Sequence, residues 1–337
     1  MSNKLTTKFY NKNSYIKRMK IFFSKKELKS YRNCFLSERK KYFNYFKINK
    51  SKNLLDVGTG KNSIALSKFF RNIHHFDISN SHHKYLKKIK SKQKKNIITK
   101  KADIENHNLK KYFYDFINLD GVVMHTNSPQ KMLINVFESL KKDGVMKIFI
   151  YKRGSLKFIL VEFLRELIKK NRLKIQSPYK NNIANWLLDD DLYVPYIRFY
   201  DDKELLNFLS KLNNNNKKNI KKKNVNLLKS IDTKNFHHGE TFFIKKSNNI
   251  GNKNKKFSIK DRTQLNKNFL KKDRFFYKEC GDIMLKILKQ KFKNKTLLKI
   301  SIVNIYKICL KSNFDPNYDY IKKIKLLKNE LKILRLN

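Results

Sequence analysis

Short apolar runs alternate with amphipathic stretches between residues 53 and 151 of the chain. Apolar runs bounded by turn residues are typical of buried strands, whereas apolar residues that recur every three or four positions indicate helices. Because the two kinds of segment alternate, the pattern predicts right-handed crossovers and a mostly parallel sheet. The strands predicted in this region span residues 53–57, 73–76, 96–99, 114–119 and 145–151.

The alternation resumes after an interruption. A helix is predicted at residues 202–212, and strands at 224–230 and 240–246 would form a final antiparallel hairpin. The predicted fold class is therefore α/β, with a doubly wound, mostly parallel, seven-stranded Rossmann-like sheet. An insertion at residues 152–200, which carries the single tryptophan, Trp186, follows the fifth strand.

Changes in composition predict the domain organisation. A basic N-terminal arm covers residues 1–28, and the α/β domain covers residues 29–247, with the insertion as a candidate substrate lid. A polar linker at 248–256 leads to a helical C-terminal appendage at 257–337. No internal repeat interrupts this order.

The net charge is extreme, with 79 Lys+Arg against 27 Asp+Glu, or +52. Such a charge suits nucleic-acid binding, since basic side chains neutralise phosphates. However, the excess is mostly Lys and accompanies abundant Asn, Ile and Phe, as expected from an A/T-rich genome, whereas bidentate phosphate contacts favour Arg. Composition therefore favours compositional drift as the source of the positive charge, with RNA binding as the second interpretation.

Cysteine spacing and the lengths of the apolar runs indicate the cellular compartment of the protein. The three cysteines are far apart in the sequence and form no metal-ligand spacing, so neither a disulfide framework nor a metal site is predicted. No apolar run approaches the ~20 residues that a bilayer-spanning helix needs. We therefore expect a cytoplasmic protein without a transmembrane segment; the sequence does not indicate its oligomeric state.

A glycine-rich turn after the first strand is the strongest chemical signal. Gly58, Thr59 and Gly60 leave the strand where a ligand approaches the backbone of a doubly wound sheet. Asp56 lies two residues before the first glycine. A carboxylate at this point repels a pyrophosphate but attracts the ammonium and sulfonium groups of S-adenosylmethionine, which is the predicted cofactor.

The ends of the next strands supply further candidate cofactor contacts. Asp77 ends the second strand, where a carboxylate can accept hydrogen bonds from both ribose hydroxyls. Ile78 follows it directly. Asp103, near the end of the third strand, is expected to accept from the adenine amino group and Ile104 to cover the ring. Leu119 in the fourth strand completes the predicted cofactor-binding set.

Several segments together resemble class I S-adenosylmethionine-dependent methyltransferases, in particular the type 11 branch that includes ubiquinone and menaquinone biosynthesis enzymes. The resemblance covers about residues 30–246 and implies methyl transfer by in-line displacement. Lys61 and Asn62 stand where the family commonly has a third glycine. The segments that carry the resemblance are Asp56–Gly60, Phe76-Asp77, Ala102-Asp103, Tyr114–Ile117, Gly121–Thr126, Leu140–Gly144 and, in one subgroup of the family, Pro195–Leu206.

Three residues are candidates for catalysis. His125 follows the fourth strand, where an acceptor can meet the methyl group, and is a candidate general base. Tyr151 and Arg153 follow the fifth strand and are expected to face the same pocket. A small or lipid-like acceptor is favoured by the branch resembled and by the apolar stretch at residues 156–168, with RNA second.

Three other functional classes are weighed against this interpretation. An NAD(P) dehydrogenase shares the acid at the end of the second strand, but Asp56 and the later segments argue against it. A phosphate-binding P-loop is excluded because Asn62 separates Gly60-Lys61 from Ser63. A non-catalytic binding or assembly factor that retains the methyltransferase fold is the main alternative, because of the Lys61-Asn62 departure and the unmatched appendage.

Overall fold

The computed structural model describes residues 4–11, 23–38, 52–93, 96–151, 153, 156–171, 192–213, 220–225, 239–246, 283, 286–287, 293–311 and 320–334. The chain divides into two compact units. The first comprises residues 1–151, 194–223 and 240–259. The second comprises residues 152–193, 224–239 and 260–337. Trp186 and the linker predicted at 248–256 lie outside the described residues.

A seven-stranded sheet has the strand order β3-β2-β1-β4-β5-β7-β6. β1 to β5 are parallel. The amide of Asp143, early in β5, donates to the carbonyl of Lys246, just past β7, so β7 runs opposite to β5. This arrangement confirms the predicted fold class. The strands are β1 Asn53–Val57, β2 Asn72–Asp77, β3 Ile97–Lys101, β4 Tyr114–Asp120, β5 Leu140–Tyr151, β6 Ile220–Val225 and β7 Gly239–Lys245.

Two strands differ from their predicted positions. β6 begins at Ile220, four residues before the predicted start of that strand, in a stretch rich in lysine. β5 begins at Leu140 rather than at residue 145. The prediction missed these residues because the polar segment between Leu140 and residue 145 carries no apolar pattern. In β5, periodicity therefore located the continuous apolar run from Val145 and missed Leu140, which is separated from it by polar residues.

The described helices extend the predicted set at the N-terminal end of the chain. The N-terminal arm predicted for residues 1–28 contains α1 and the start of α2, although a polar arm carries no clear helical period. A short 3₁₀ turn, Val123–His125, follows β4. The helices are α1 Lys4–Tyr10, α2 Lys25–Glu38, α3 Lys61–Leu66, α4 Asn80–Gln93, α5 Pro129–Ser139, α6 Leu156–Asn171, α7 Asp202–Leu212, α8 Lys295–Lys311 and α9 Tyr320–Ile333.

Aromatic side chains join α2 to the middle of the sheet. Phe35 of α2 lies 6.0 Å from Phe116 of β4 and 6.3 Å from Phe70, measured between ring centroids. Phe70 and Phe116 are themselves stacked at 5.8 Å. Aromatic rings bury large apolar areas and prefer such offset contacts, so this cluster fixes α2 across one face of the sheet.

A buried ammonium group stabilises the end of α5. Lys246 is 1% exposed, and its Nζ donates to the carbonyls of Phe137 at 2.8 Å and Leu140 at 2.6 Å. The last carbonyls of a helix have no partners within the helix, and a cation there also opposes the negative end of the helix dipole. Lys246 therefore caps α5 and holds it to β7.

The second unit is largely helical in its described part. α8 packs against both α6 and α9. Leu298, Ile302 and Ile305 form the buried face of α8, and Leu327 does the same for α9. Among the described helices of the whole chain, none is long and apolar enough to cross a membrane.

Candidate active site

The candidate site lies at the carboxyl ends of the parallel strands, where the strand order reverses between β1 and β4. Ligands of open α/β sheets bind at such a topological switch point. The loops that follow β1, β2, β3 and β4 all emerge at this edge. The topology therefore brings the ends of the four predicted strands together, as the sequence predicted.

A histidine in β2 forms a hydrogen bond with the glycine turn after β1. Nε2 of His75, in β2, lies 2.6 Å from the carbonyl oxygen of Gly58. A carbonyl only accepts hydrogen bonds, so Nε2 carries the proton, and Nδ1 accepts from the Thr99 hydroxyl at 3.0 Å. His75 is completely buried. It therefore shapes the turn rather than lying on the surface.

Close packing explains why the turn requires glycine at its second position. Gly60 has a φ of +80°, and a Cβ there would lie 2.7 Å from Cδ2 of Leu86 and 3.1 Å from Nε2 of His75. Lys61, which follows, does not narrow the turn: its Nζ lies 4.4 Å from the ring centroid of Tyr31 in α2. Burial lowers the pKa of Lys61, partly offset by Glu27.

The carboxylate of Asp56 organises the same turn. Its Oδ2 accepts from the backbone amide of Ser63 at 2.8 Å and from the Ser63 hydroxyl at 2.5 Å. Its Oδ1 accepts from Nδ2 of Asn118 in β4 at 2.9 Å. Asp56 thus ties β1 to β4 and to the start of α3, and its predicted contact with the cofactor stays a prediction.

Asp77 ends β2 as a buried, hydrogen-bonded carboxylate. Oδ1 accepts from the amide of Ser79 at 2.5 Å, and Oδ2 lies 2.9 Å from Nδ1 of His82. Because an ionised carboxylate only accepts, Nδ1 of His82 carries the proton in this pair. Each oxygen has a second lone pair, so these bonds preserve the capacity to accept from ribose hydroxyls.

A cavity of about 440 Å³ lies beside Asp77. Two of the predicted cofactor-binding residues, Ile78 and Asp103, line it, whereas Leu119 is fully buried in the sheet. Ile104 is also buried, and its carbonyl accepts from Asn135. Sequence reasoning missed the contribution of α1. The complete lining is Lys4, Thr7, Lys8, Asn11, Ile78, Lys101, Ala102 and Asp103.

The loop after β4 positions His125. Nδ1 of His125 lies 3.0 Å from the carbonyl oxygen of Tyr196; a carbonyl only accepts, so Nδ1 is the donor and Nε2 is the nitrogen left for other contacts. Arg198 fixes the loop, because its guanidinium donates to the carbonyls of Thr126 and Asn127. Residues 196–200 therefore hold the candidate base in position. Nothing in their local sequence predicts this role.

A buried carboxylate also anchors this loop to the loop after β3. Glu105 is 4% exposed, and its two oxygens accept from the amides of Asn127 at 2.6 Å and Ser128 at 2.8 Å. These amides lie at the N-terminus of α5, where negative charge is favourable. The bonds hold the Asp103 side of the site in register with the His125 side.

Aromatic rings surround His125. The ring of Tyr151, at the end of β5, lies 6.2 Å from that of His125 and stacks on Phe199 at 5.7 Å. Tyr151 thus lies near the candidate base, and its predicted catalytic role stays a prediction. Arg153 is half-buried and belongs to the second unit, so its predicted role stays a prediction.

Lys147 in β5 forms a buried ion pair with Glu38 in α2 and also interacts with Asp120 at the end of β4. Nζ of Lys147 lies 2.8 Å from Oε2 of Glu38 in α2. Burial alone would lower the pKa of Lys147, but the Glu38 and Asp120 carboxylates raise it overall. Burial raises the pKa of Asp120, against the effect of Lys147. The only sequence signal was one lysine inside the apolar run of β5.

Comparisons with known proteins agree with this geometry. Residues 55–148 match the family model described as "Methyltransferase domain". This match covers β1 through most of β5, including the glycine turn, Asp77, Asp103 and His125. A search of curated proteins with the sequence finds no match.

Solved structures with similar folds include several methyltransferases. YcgJ from Bacillus subtilis is 12% identical, with 63% of this chain and 99% of that chain covered and a TM-score of 0.42. An S-adenosylmethionine-dependent methyltransferase from Aquifex aeolicus is 15% identical, with 62% and 89% covered and a TM-score of 0.37. Phosphoethanolamine N-methyltransferase 2 from Haemonchus contortus, in complex with S-adenosylmethionine, is 10% identical, with 72% and 60% covered and a TM-score of 0.44.

The TM-scores are all below 0.5, so the family match and the strand order carry the assignment. Both agree with the family that the sequence resembles. The chain therefore contains a methyltransferase domain that includes residues 55–148, within a sheet of the strand order given above.

Proposed function

We propose that this domain binds S-adenosylmethionine along the carboxyl edge of β1, β2 and β3 and transfers its methyl group to a small or lipid-like acceptor. One observation carries the cofactor assignment: the cavity is lined by Ile78, which directly follows Asp77 at the end of β2, and by Asp103 after β3. In this assignment Asp77 accepts from the ribose hydroxyls and Asp103 from the adenine amino group.

The chain would contribute orientation and a base. Bound S-adenosylmethionine supplies a methyl carbon that is already activated by the positive charge on sulfur. The glycine turn and Asp77 would hold the reacting groups in line, and the buried surroundings would exclude water. Nε2 of His125 would accept the proton of an acceptor that carries one at neutral pH, while Tyr196 keeps the ring oriented.

The surroundings of His125 favour an apolar acceptor over a phosphate-rich one. The rings of Tyr10 and Tyr151 contact the ring of His125, and Phe199 stacks on Tyr151. The guanidinium of Arg198 is directed to backbone carbonyls. Aromatic surfaces stabilise apolar ligands by area burial, so a lipid-like or aromatic metabolite suits this side of the site.

Calorimetry with S-adenosylhomocysteine tests the cofactor site. We expect Asp77→Asn to weaken binding by roughly 10- to 100-fold, because a charged acceptor of ribose hydrogen bonds contributes about 1.5–3 kcal/mol. Asp143→Asn is the matched control: it makes the same change at a carboxylate that is 60% exposed and paired with Lys245. Unchanged affinity in folded Asp77→Asn would refute the ribose assignment.

Methyl-labelled S-adenosylmethionine tests the acceptor. The protein is incubated with lipid and small-molecule extracts, and separately with total RNA, and the labelled product is identified in each. Label in the lipid or metabolite fraction that is lost in His125→Ala supports the proposal, whereas label in RNA alone contradicts it. Absence of S-adenosylhomocysteine binding together with a stable protein partner would support the non-catalytic alternative.

A further inference from the structure

His82 is a buried histidine that contacts the carboxylate proposed to bind the ribose. Its Nδ1 lies 2.9 Å from Oδ2 of Asp77, and the two side chains are only 3% and 6% exposed. A hydrogen bond to an ionised carboxylate is stronger than one between neutral groups. The contact is therefore able to fix the orientation of the Asp77 side chain.

The start of α4 holds both partners of this contact. Ser79 directly precedes α4, and its Oγ accepts from the amide of His82 at 3.2 Å. A serine hydroxyl that accepts from an amide of the first turn caps a helix. The amide of Ser79 donates to Oδ1 of Asp77 at 2.5 Å. Each oxygen of the carboxylate thus has one donor from this segment, Ser79 on Oδ1 and His82 on Oδ2.

The two donors restrict rotation of the carboxylate. Rotation about the Cβ–Cγ bond of Asp77 would break the bond to Ser79, the bond to His82 or both. The two neighbouring hydroxyls of a ribose need both oxygens at the same time, each with a lone pair available. A carboxylate that is already held by two donors meets this requirement before the ligand arrives, so less ordering is needed on binding.

The space that the side chain fills does not by itself explain a histidine at position 82. Burial of an imidazole costs free energy unless its polar atoms are paired, whereas an apolar side chain would fill similar space without that cost. The hydrogen bond to Asp77 is what this position gains from a histidine.

From these contacts we propose that His82 is a positioning residue for the cofactor, which holds Asp77 in the orientation in which both of its oxygens accept from the ribose hydroxyls. The proposal rests on the proposed function, since that function makes Asp77 the ribose acceptor. His82 acts through Asp77 and does not itself touch the cofactor. Removing its donor should therefore weaken only the part of binding that depends on the ribose hydroxyls.

Calorimetry of the full chain with S-adenosylhomocysteine, and with its 2′,3′-dideoxy analogue, tests this role. His82→Phe keeps a ring but removes the donor. We expect it to weaken S-adenosylhomocysteine binding about tenfold, at the lower end of the effect that outer partners have when they orient metal-binding side chains. The dideoxy analogue lacks both donors to Asp77, so the same substitution should leave its affinity nearly unchanged.

Two variants serve as controls. His82→Asn retains a nitrogen donor near the position of Nδ1 and should restore most of the affinity. His74→Phe makes the same change in β2, at a histidine whose Nδ1 lies 2.9 Å from the Tyr114 hydroxyl. Since side chains alternate along a strand, His74 lies on the opposite face of the sheet from Asp77, and its substitution should leave both affinities unchanged.

Heteronuclear NMR of the wild-type histidine rings gives a readout that requires no substitution. S-adenosylhomocysteine should shift the Nδ1 resonance of His82 and slow the exchange of its proton with water, because the ligand closes the other side of Asp77. The dideoxy analogue should do so much less. These spectra decide the question if His82→Phe does not fold.

Three results would overturn the positioning role while leaving cofactor binding intact. They are an unchanged affinity of His82→Phe for S-adenosylhomocysteine, an equal loss for both ligands, and a wild-type His82 signal that responds equally to the two ligands. A wild-type protein that binds neither ligand, or binds both equally well, would instead overturn the proposed ribose site itself.

Discussion

Replacement of Gly60 by alanine is the sharpest test of how the glycine turn is built. An alanine at a φ of +80° adopts the left-handed region at a cost of roughly 1–2 kcal/mol. Its Cβ would also lie 2.7 Å from Cδ2 of Leu86, and both Leu86 and the neighbouring His75 are completely buried. Forcing extra volume into such packing costs about 1–3 kcal/mol. We therefore expect Gly60→Ala to lower the free energy of unfolding by about 2–5 kcal/mol.

Gly121→Ala separates the two contributions. Gly121 has a similar φ of +73°, but a Cβ there would meet nothing within 4 Å. It should cost only the conformational term, about 1–2 kcal/mol. The excess at Gly60, about 2 kcal/mol, corresponds to a melting temperature about 4–8 °C lower for a domain of 150–250 residues.

Thermal and urea unfolding of the two variants, side by side with the wild type, provide the measurement. Gly60→Ala should also weaken S-adenosylhomocysteine binding, because moving His75 disturbs its hydrogen bond to the Gly58 carbonyl. Equal destabilisation of the two variants would refute the packing argument. Normal affinity in a destabilised Gly60→Ala would instead show that the turn does not contact the cofactor.

Three further predictions concern buried or capping charges. Glu38→Gln should cost about 3 kcal/mol, because it removes the carboxylate charge next to the buried Lys147 ammonium and leaves Asp120 as the remaining counter-charge, and Glu38→Leu with Lys147→Met should recover most of it. The pKa of Lys147 is raised, so the ion pair stabilises the fold fully below about pH 10.4 and loses its effect as the pH rises through the raised value. In that alkaline range the free energy of unfolding of the double variant should therefore depend less on pH than that of the wild type. Lys246→Met should cost about 3 kcal/mol by removing the cap of α5, whereas Lys245→Met, which loses only a pair to the exposed Asp143, should be nearly neutral in urea unfolding. Asp201→Ala should cost about 1 kcal/mol and Asp201→Ser much less, because the Asp201 carboxylate accepts from the first amides of α7.

The predictable part of the fold depended on signals that lie within short stretches of chain. Apolar runs marked the buried segments of β1 to β5, and their alternation with helices implied parallel strands. Asp77 and Asp103 stood at strand ends, so parallel topology alone was enough to bring them to one edge. Asp56 was recognised by its spacing from Gly58, although the structure directs its carboxylate to Ser63 and Asn118.

Other features of the site depend on residues far apart in the chain. Glu38 and Lys147 are 109 residues apart, Tyr196 orients a histidine 71 residues earlier, and Asn11 binds a serine 68 residues later. Sequence periodicity reports only which face of a segment is apolar, and it does not report which distant polar groups will meet. The sequence by itself therefore determined the order of the strands along the chain and the acidic residues at their ends. Only the tertiary structure decided how those acids are hydrogen-bonded and that residues of α1 line the cavity next to Ile78 and Asp103, because both depend on pairings that close-packing selects.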